Sequence, residues 1–144
     1  MKYRRTGHII LARLEVGEEI LESLRRLGRA EMLPWASFTG LGAVNRLTLA
    51  LYDPAQRRYL ESSFEEDLEV ATMTGNFTWL GEEAVVHAHG VFSRADCSTL
   101  GGHIVRGVVS LTLEVSITAG PVAVERAPDE ALGLNLLALD QPPS

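Results

Sequence analysis

Apolar and polar positions follow a helical spacing only once in this chain, near its start, and alternate with a period of two through most of the remainder. Residues 8–14 read as a first strand. Residues 15–19 then bring polar side chains and a glycine, and Ile20, Leu21, Leu24 and Leu27 recur at the spacing of one helix face. Gly28 is placed to end that helix in a left-handed conformation. Arg25, Arg26 and Arg29 cluster towards the same end, where positive charge meets the negative pole of the helix dipole. From Trp35 onward the period is two. Leu47, Leu49 and Leu51 alternate with Thr48, Ala50 and Tyr52, and Asp53-Pro54 marks a turn. Residues 70–74, 85–92 and 108–118 are further strands. In the last, Val109, Leu111, Leu113, Val115 and Ile117 share one face, and Ser110, Thr112, Glu114 and Ser116 the other.

One early helix followed by several strands predicts an α+β fold: a mainly antiparallel β-sheet with one N-terminal helix packed on it, in a single domain. The connections are too short for repeated parallel crossovers. The Pro-Pro-Ser end after Asp140 is expected to be disordered.

Composition narrows the class. With 144 residues, 46% hydrophobic and 22% charged, the chain can bury a core without disulfides and resembles neither a disordered nor a membrane protein. Cys97 is the sole cysteine, which fits a reducing compartment. The apolar run 9–12 is cut by Arg13 and Glu15, too short for a signal core, and no stretch is long enough to span a membrane. A cytoplasmic location is expected. The net charge of −6 opposes attraction to phosphates, so DNA binding is expected to be weak and indifferent to sequence.

The segment that carries chemistry is His87-Ala88-His89, followed by Gly101-Gly102-His103. Residues two apart on a strand point to one face, so His87 and His89 project side by side. A turn through residues 93–100 brings His103 onto a neighbouring strand opposite them. Three neutral imidazoles favour zinc, with copper, nickel, cobalt and iron as competitors. The alternative is a set of hydrogen-bonded histidines without metal. His8 stands apart and is read as structural or exposed. Cys97 is either a fourth ligand, which would close the site, or an ordinary loop thiol, the preferred reading. Gly40 and Gly42 suit a tight strand connection. Gly101 and Gly102 let the backbone approach or take positive φ beside His103. A phosphate-cradling loop lacks its lysine and its strand-to-helix setting.

The order Ser37-Phe38-Thr39-Gly40-Leu41-Gly42-Ala43-Val44, Leu49-Ala50-Leu51-Tyr52-Asp53, Leu68-Glu69-Val70 with Gly75-Asn76, His87-Ala88-His89, Gly101-Gly102-His103 and Gly133-Leu134-Asn135-Leu136-Leu137 resembles the plant and prokaryote conserved (PPC) domain. The resemblance spans residues 7–137 and leaves 138–144 as a tail. It implies a metal unit on His87, His89 and His103 and a homotrimer. The leading reading is therefore a trimeric module that binds a divalent metal, zinc first, and presents a surface for a small molecule or a protein. Plant members join this domain to an AT-hook, which this sequence lacks, so DNA binding loses its carrier. The fold is more remotely similar to that of α-acetolactate decarboxylase, whose zinc is held by three histidines. That similarity implies an open coordination position and, as the second reading, a metal-dependent enzyme, for which Glu65, Glu66 and Glu114 are the available acids.

Overall fold

The computed structural model describes residues 1–140. Of the tail expected at 138–144, Ala138 donates its backbone N–H to the Glu125 carbonyl (2.9 Å), and residues 141–144 lie outside the described residues.

The helical spacing produces helix α1 (Ile20–Ala30), which buries Ile20, Leu21, Leu24 and Leu27. Glu19 starts it. One carboxylate oxygen accepts the Glu22 N–H at 2.7 Å, satisfying a donor that has no partner inside the helix. The other accepts the Gly107 N–H at 3.1 Å, so the cap also pins the helix to the sheet.

Gly28 does not stop the helix. It lies inside α1, and Met32, with φ of 49°, takes the left-handed position beyond the end. What demands glycine at 28 is contact: a Cβ there would stand within 2.6 Å of three atoms of the buried Phe77 ring. Alanine inside a helix ordinarily stabilises it by up to about 1 kcal/mol over glycine. Here Gly28→Ala should instead destabilise the protein by about 1–3 kcal/mol, the usual cost of overpacking, read as a lower urea midpoint. A gain in stability would contradict this packing. Of the three arginines, only Arg29 lies in the last turn. Arg26 reaches back to Glu18 (3.1 Å) and Arg25 sits near Glu22 (3.7 Å).

The period-two segments form one antiparallel sheet. Its strands are β1 (Lys2–Thr6), β2 (Ile9–Glu15), β3 (Ala36–Asp53), β4 (Arg58–Phe64), β5 (Leu68–Leu80), β6 (Glu83–Ser93) and β7 (Thr99–Ala119), in the order β1-β2-β7-β6-β5-β3-β4. An additional β7–β3 pairing closes β3, β5, β6 and β7 into a hydrogen-bonded ring. The long strands β3 and β7 each serve two partners along one edge or the other, which is why the sheet can close. A two-stranded hairpin, β8 (Arg126–Asp129) and β9 (Leu134–Leu137), comes next in the chain. The core lies between α1 and the inner face of the ring and includes Ile10, Leu14, Phe38, Met73, Phe92, Ile104 and Leu113. No helix among the described residues is long and apolar enough to cross a membrane.

Two details of the alternation do not hold. Leu47 and Leu49 are buried, but Leu51 is 71% exposed, because β3 has there run past its last pairing with β7, Ala50↔His103, and pairs only with Leu60 of β4. In β7, Leu111 is 68% exposed although Val109, Leu113, Val115 and Ile117 are buried, because the pairing jumps from Gly42↔Leu113 to Val44↔Val109. Gly40 and Gly42 are therefore not in a connection. They sit within β3 at this irregularity, and Gly42, with φ of 154°, passes so close to the Thr112 carbonyl that a Cβ would not fit.

Candidate metal centre

Strands β6 and β7 form a hairpin whose register sets His89 directly opposite His103, and His87 lies two residues along β6 on the same side. The core side of β6 is taken by Ala84, Val86, Ala88 and Phe92, which leaves the histidines on the outer face. Glycine lets the hairpin pack here by close approach. A Cβ on Gly102 would come 3.3 Å from the Ala50 carbonyl oxygen, and neither Gly101 nor Gly102 has positive φ.

The three imidazoles converge. One ring nitrogen from each of His87, His89 and His103 lies within 4.8 Å of the other two. The Nε2 atoms of His87 and His89 are 3.2 Å apart. Two nitrogens bound tetrahedrally to one zinc at the usual bond length stand about 3.3 Å apart, so this pair already has the spacing a shared ion requires. The residues fit a divalent ion, since all three ring nitrogens lie within 4.8 Å of one another.

The surroundings are aromatic and cationic. Tyr59 of β4 stacks on His103 with ring centroids 4.9 Å apart, and Tyr52 meets Tyr59 edge-on at 5.1 Å. On the other side Asn76 of β5 sits opposite His87, and Arg126 of β8 donates to its side-chain oxygen at 2.8 Å. Sequence reasoning missed Tyr59 and Arg126. The first stands on an exposed strand with no apolar alternation, and the second opens the four-residue strand β8, where local pattern says nothing about contacts with β5.

Other expected participants lie elsewhere. His8 is in the turn between β1 and β2, exposed, with its carbonyl accepting the Ala119 N–H at 2.8 Å. Cys97 is exposed at the tip of the β6–β7 hairpin with φ of 64°. The tip begins four residues beyond the His89–His103 pair, about 13 Å along the strand, so the thiol is not a fourth ligand. Glu66 is held by Arg94 through contacts of 3.0–3.1 Å, Glu65 is exposed, and Glu114 pairs with Arg13 and Leu41 near the opposite end of β7. None of the three carboxylates joins the histidine cluster among the described residues.

Burial, then the positive charges of His103, Arg126 and His89, pushes the His87 imidazole down to about 4. His103 is also lowered, by burial and then by His89. Both rings are thus proton-free at neutral pH, the form that ligates. In the unfolded chain a histidine titrates near its ordinary value of about 6.5. Between that value and about 4 the unfolded state therefore binds more protons than the folded one, so stability falls as the pH drops through this window and levels off below it. For metal-free protein the His87 contribution should be on the order of 1–2 kcal/mol after solvent screening, seen in urea midpoints at pH 7 and pH 4.5. His87→Asn should reduce that acid sensitivity. An unchanged pH response in the variant would contradict the burial argument.

A ring-closed antiparallel sheet with one covering helix and an outward trihistidine cluster defines a small α+β domain with a metal-ligand set. The chain belongs to the family described as the Plants and Prokaryotes Conserved (PCC) domain, whose model matches residues 1–121. It is similar over 97% of its length to 98% of a candidate DNA-binding protein from Bacteroides thetaiotaomicron, at 25% identity and a TM-score of 0.93. A candidate DNA-binding protein from Ralstonia eutropha is 30% identical over 96% of both chains, with a TM-score of 0.90. A metal-containing protein from Archaeoglobus fulgidus is 25% identical over 95% of this chain and 99% of that one, with a TM-score of 0.84. The remote similarity to α-acetolactate decarboxylase is one of fold. The Bacillus subtilis enzyme is 16% identical with a TM-score of 0.56, and the chain spans 60% of it. No curated protein matches the chain.

Proposed function

We propose that this protein is a metal-binding domain that holds one divalent ion per chain, zinc first, on His87, His89 and His103. The observation that carries the reading is the convergence of three imidazole nitrogens within 4.8 Å on registered neighbouring strands, with no carboxylate in the cluster among the described residues. An all-imidazole set suits zinc and the later first-row metals rather than magnesium or calcium. Elemental analysis after metal loading and removal of excess should return about one zinc per chain. A metal-free protein after such loading would contradict the reading.

Three histidines leave a fourth position for water or a ligand, the arrangement of catalytic zinc sites. An enzyme would also need a positioned acid or base, and Glu65, Glu66 and Glu114 all lie away from the cluster. A binding module is therefore the favoured reading. DNA binding, suggested by the descriptions of two similar structures, is disfavoured by the net charge of −6.

The domain is further proposed to assemble as a homotrimer. A groove of about 740 Å³ runs over the outer face of β2, β3 and β7, and in it Leu11 and Leu41 are 56% and 59% exposed. Charged neighbours of both signs, Arg4, Arg13 and Glu114, line the same groove. Apolar residues so placed are what a subunit interface covers, and cyclic symmetry can close such contacts. Light scattering coupled to size exclusion should report about three chains per particle. A monomer at all concentrations would contradict the assembly.

A further inference from the structure

We propose that the trihistidine site takes a small carboxylate ligand, held on one side by the bound ion and on the other by Arg126 of the β8–β9 hairpin. The inference rests on the metal reading for one of its two contacts and on Arg126 alone for the other.

Arg126 carries a charge that the protein does not neutralise among the described residues. Its Nε donates to Thr78 Oγ1 (2.9 Å), one Nη to the Asn135 carbonyl (2.8 Å) and the other to Asn76 Oδ1 (2.8 Å). All three acceptors are neutral. Elsewhere in the molecule Arg5, Arg26 and Arg94 meet Glu31, Glu18 and Glu66 at 3.0–3.1 Å. A half-buried guanidinium without an anion is costly, and three neutral bonds only orient it. A guanidinium has five N–H donors, so three bonds leave two free, one on each terminal nitrogen. Two N–H groups are the number that a carboxylate accepts in a bidentate pair.

Its position faces the histidines. Asn76 and Thr78 lie two apart on β5, hence on one face, and Asn76 is the register partner of His87. Arg126 therefore spans the outer face of β5 beside His87. The hairpin is anchored across the site as well, since Tyr52 donates its hydroxyl to the Leu132 carbonyl. The histidines, Tyr59 and the β8–β9 hairpin thus border one patch of the outer face.

Charge decides what fits it. A divalent ion on three neutral imidazoles keeps its full charge of +2, and Arg126 adds another positive charge, while the cluster contains no carboxylate among the described residues. Such a patch favours an anion over water or a neutral ligand. A planar carboxylate matches the two free N–H groups and can bring an oxygen to the open metal position. Arg126 lies beyond residue 121, where the match to the family model ends.

Cobalt-loaded protein provides a direct readout, because the visible spectrum of tetrahedral Co2+ changes when an anion enters its coordination sphere. Wild type, Arg126→Gln and Arg126→Lys, each checked for cobalt content and melting temperature, are titrated with propionate at constant ionic strength. Propionamide is the neutral control and inorganic phosphate the rival anion. Wild type should show a saturable spectral change with propionate and none with propionamide. Arg126→Gln should bind propionate at least about tenfold more weakly, with Arg126→Lys between them. Equal affinity in wild type and Arg126→Gln, or no response to propionate, overturns the proposal, and tighter binding of phosphate overturns the carboxylate assignment. If wild type takes up no cobalt, the metal reading fails separately. The Arg126 contact is then read from melting of the metal-free proteins: propionate raising the melting temperature of wild type and not of Arg126→Gln supports it, and equal shifts overturn it.

Discussion

His103→Ala should lower the affinity of the protein for zinc by more than about a hundredfold, because losing merely an outer-shell partner of a metal ligand already costs 10–100-fold. His103 is the only member of the triad on β7, and its removal leaves two nitrogens side by side on β6. Two ligands from one strand cannot enclose a tetrahedral ion. His87→Ala and His89→Ala should be similarly severe, since each leaves one ligand on each strand with no third donor among the described residues. His8→Ala is the internal control: its ring lies in the β1–β2 turn, apart from the triad, and metal affinity should hold. Competition against a chromophoric chelator at neutral pH measures all four. Wild-type affinity in any of the three site variants would remove that residue from the ligand set.

Phe92→Ala should destabilise the fold by about 3–5 kcal/mol, a large fraction of the roughly 5–15 kcal/mol that holds a typical domain. Phe92 is fully buried near the end of β6 and packs over Gly90, where an added Cβ would stand 2.9 Å from the ring. Its truncation removes the transfer energy of a ring and leaves a void that the surrounding hydrogen-bonded ring of strands resists collapsing into. Phe92→Leu keeps most of the volume and should cost distinctly less. Urea unfolding with a shared slope compares them. A loss below about 1 kcal/mol for Phe92→Ala would mean that this end of the barrel is not packed as described.

How far the sequence discloses this molecule depends on how local each determinant is. The face of α1 and the strand pairing near the histidines depend on spacing within a few residues, and both are as the alternation predicts. His87 and His89 share a face because strands have period two, and His103 falls opposite because the hairpin between them is short. Bulges are not local in this sense. Leu111 carries the same apolar signal as its buried neighbours, and only the mismatch between β3 and β7, set by residues some sixty positions apart, turns it outward. Gly28 misleads for a related reason: at a helix end glycine ordinarily marks a stop, but here the Phe77 ring, from a distant strand, requires the absent Cβ.

Strands β1 and β4 escape notice because they are exposed along nearly their whole length and lack an alternating apolar set. Tyr59 reaches His103 from one of them. Arg126 likewise gains its meaning from three contacts, two of them made some fifty residues away in β5. The convergence of the three histidines could thus be read from spacing, whereas their neighbours Tyr59 and Arg126 required the fold.

The most direct test is a crystal of untreated protein measured on both sides of the zinc absorption edge. One anomalous peak per chain is expected, lying about 2.0–2.1 Å from a ring nitrogen of each of His87, His89 and His103. No peak at the triad after zinc loading, or a peak bound by other residues, would contradict the triad as the metal site.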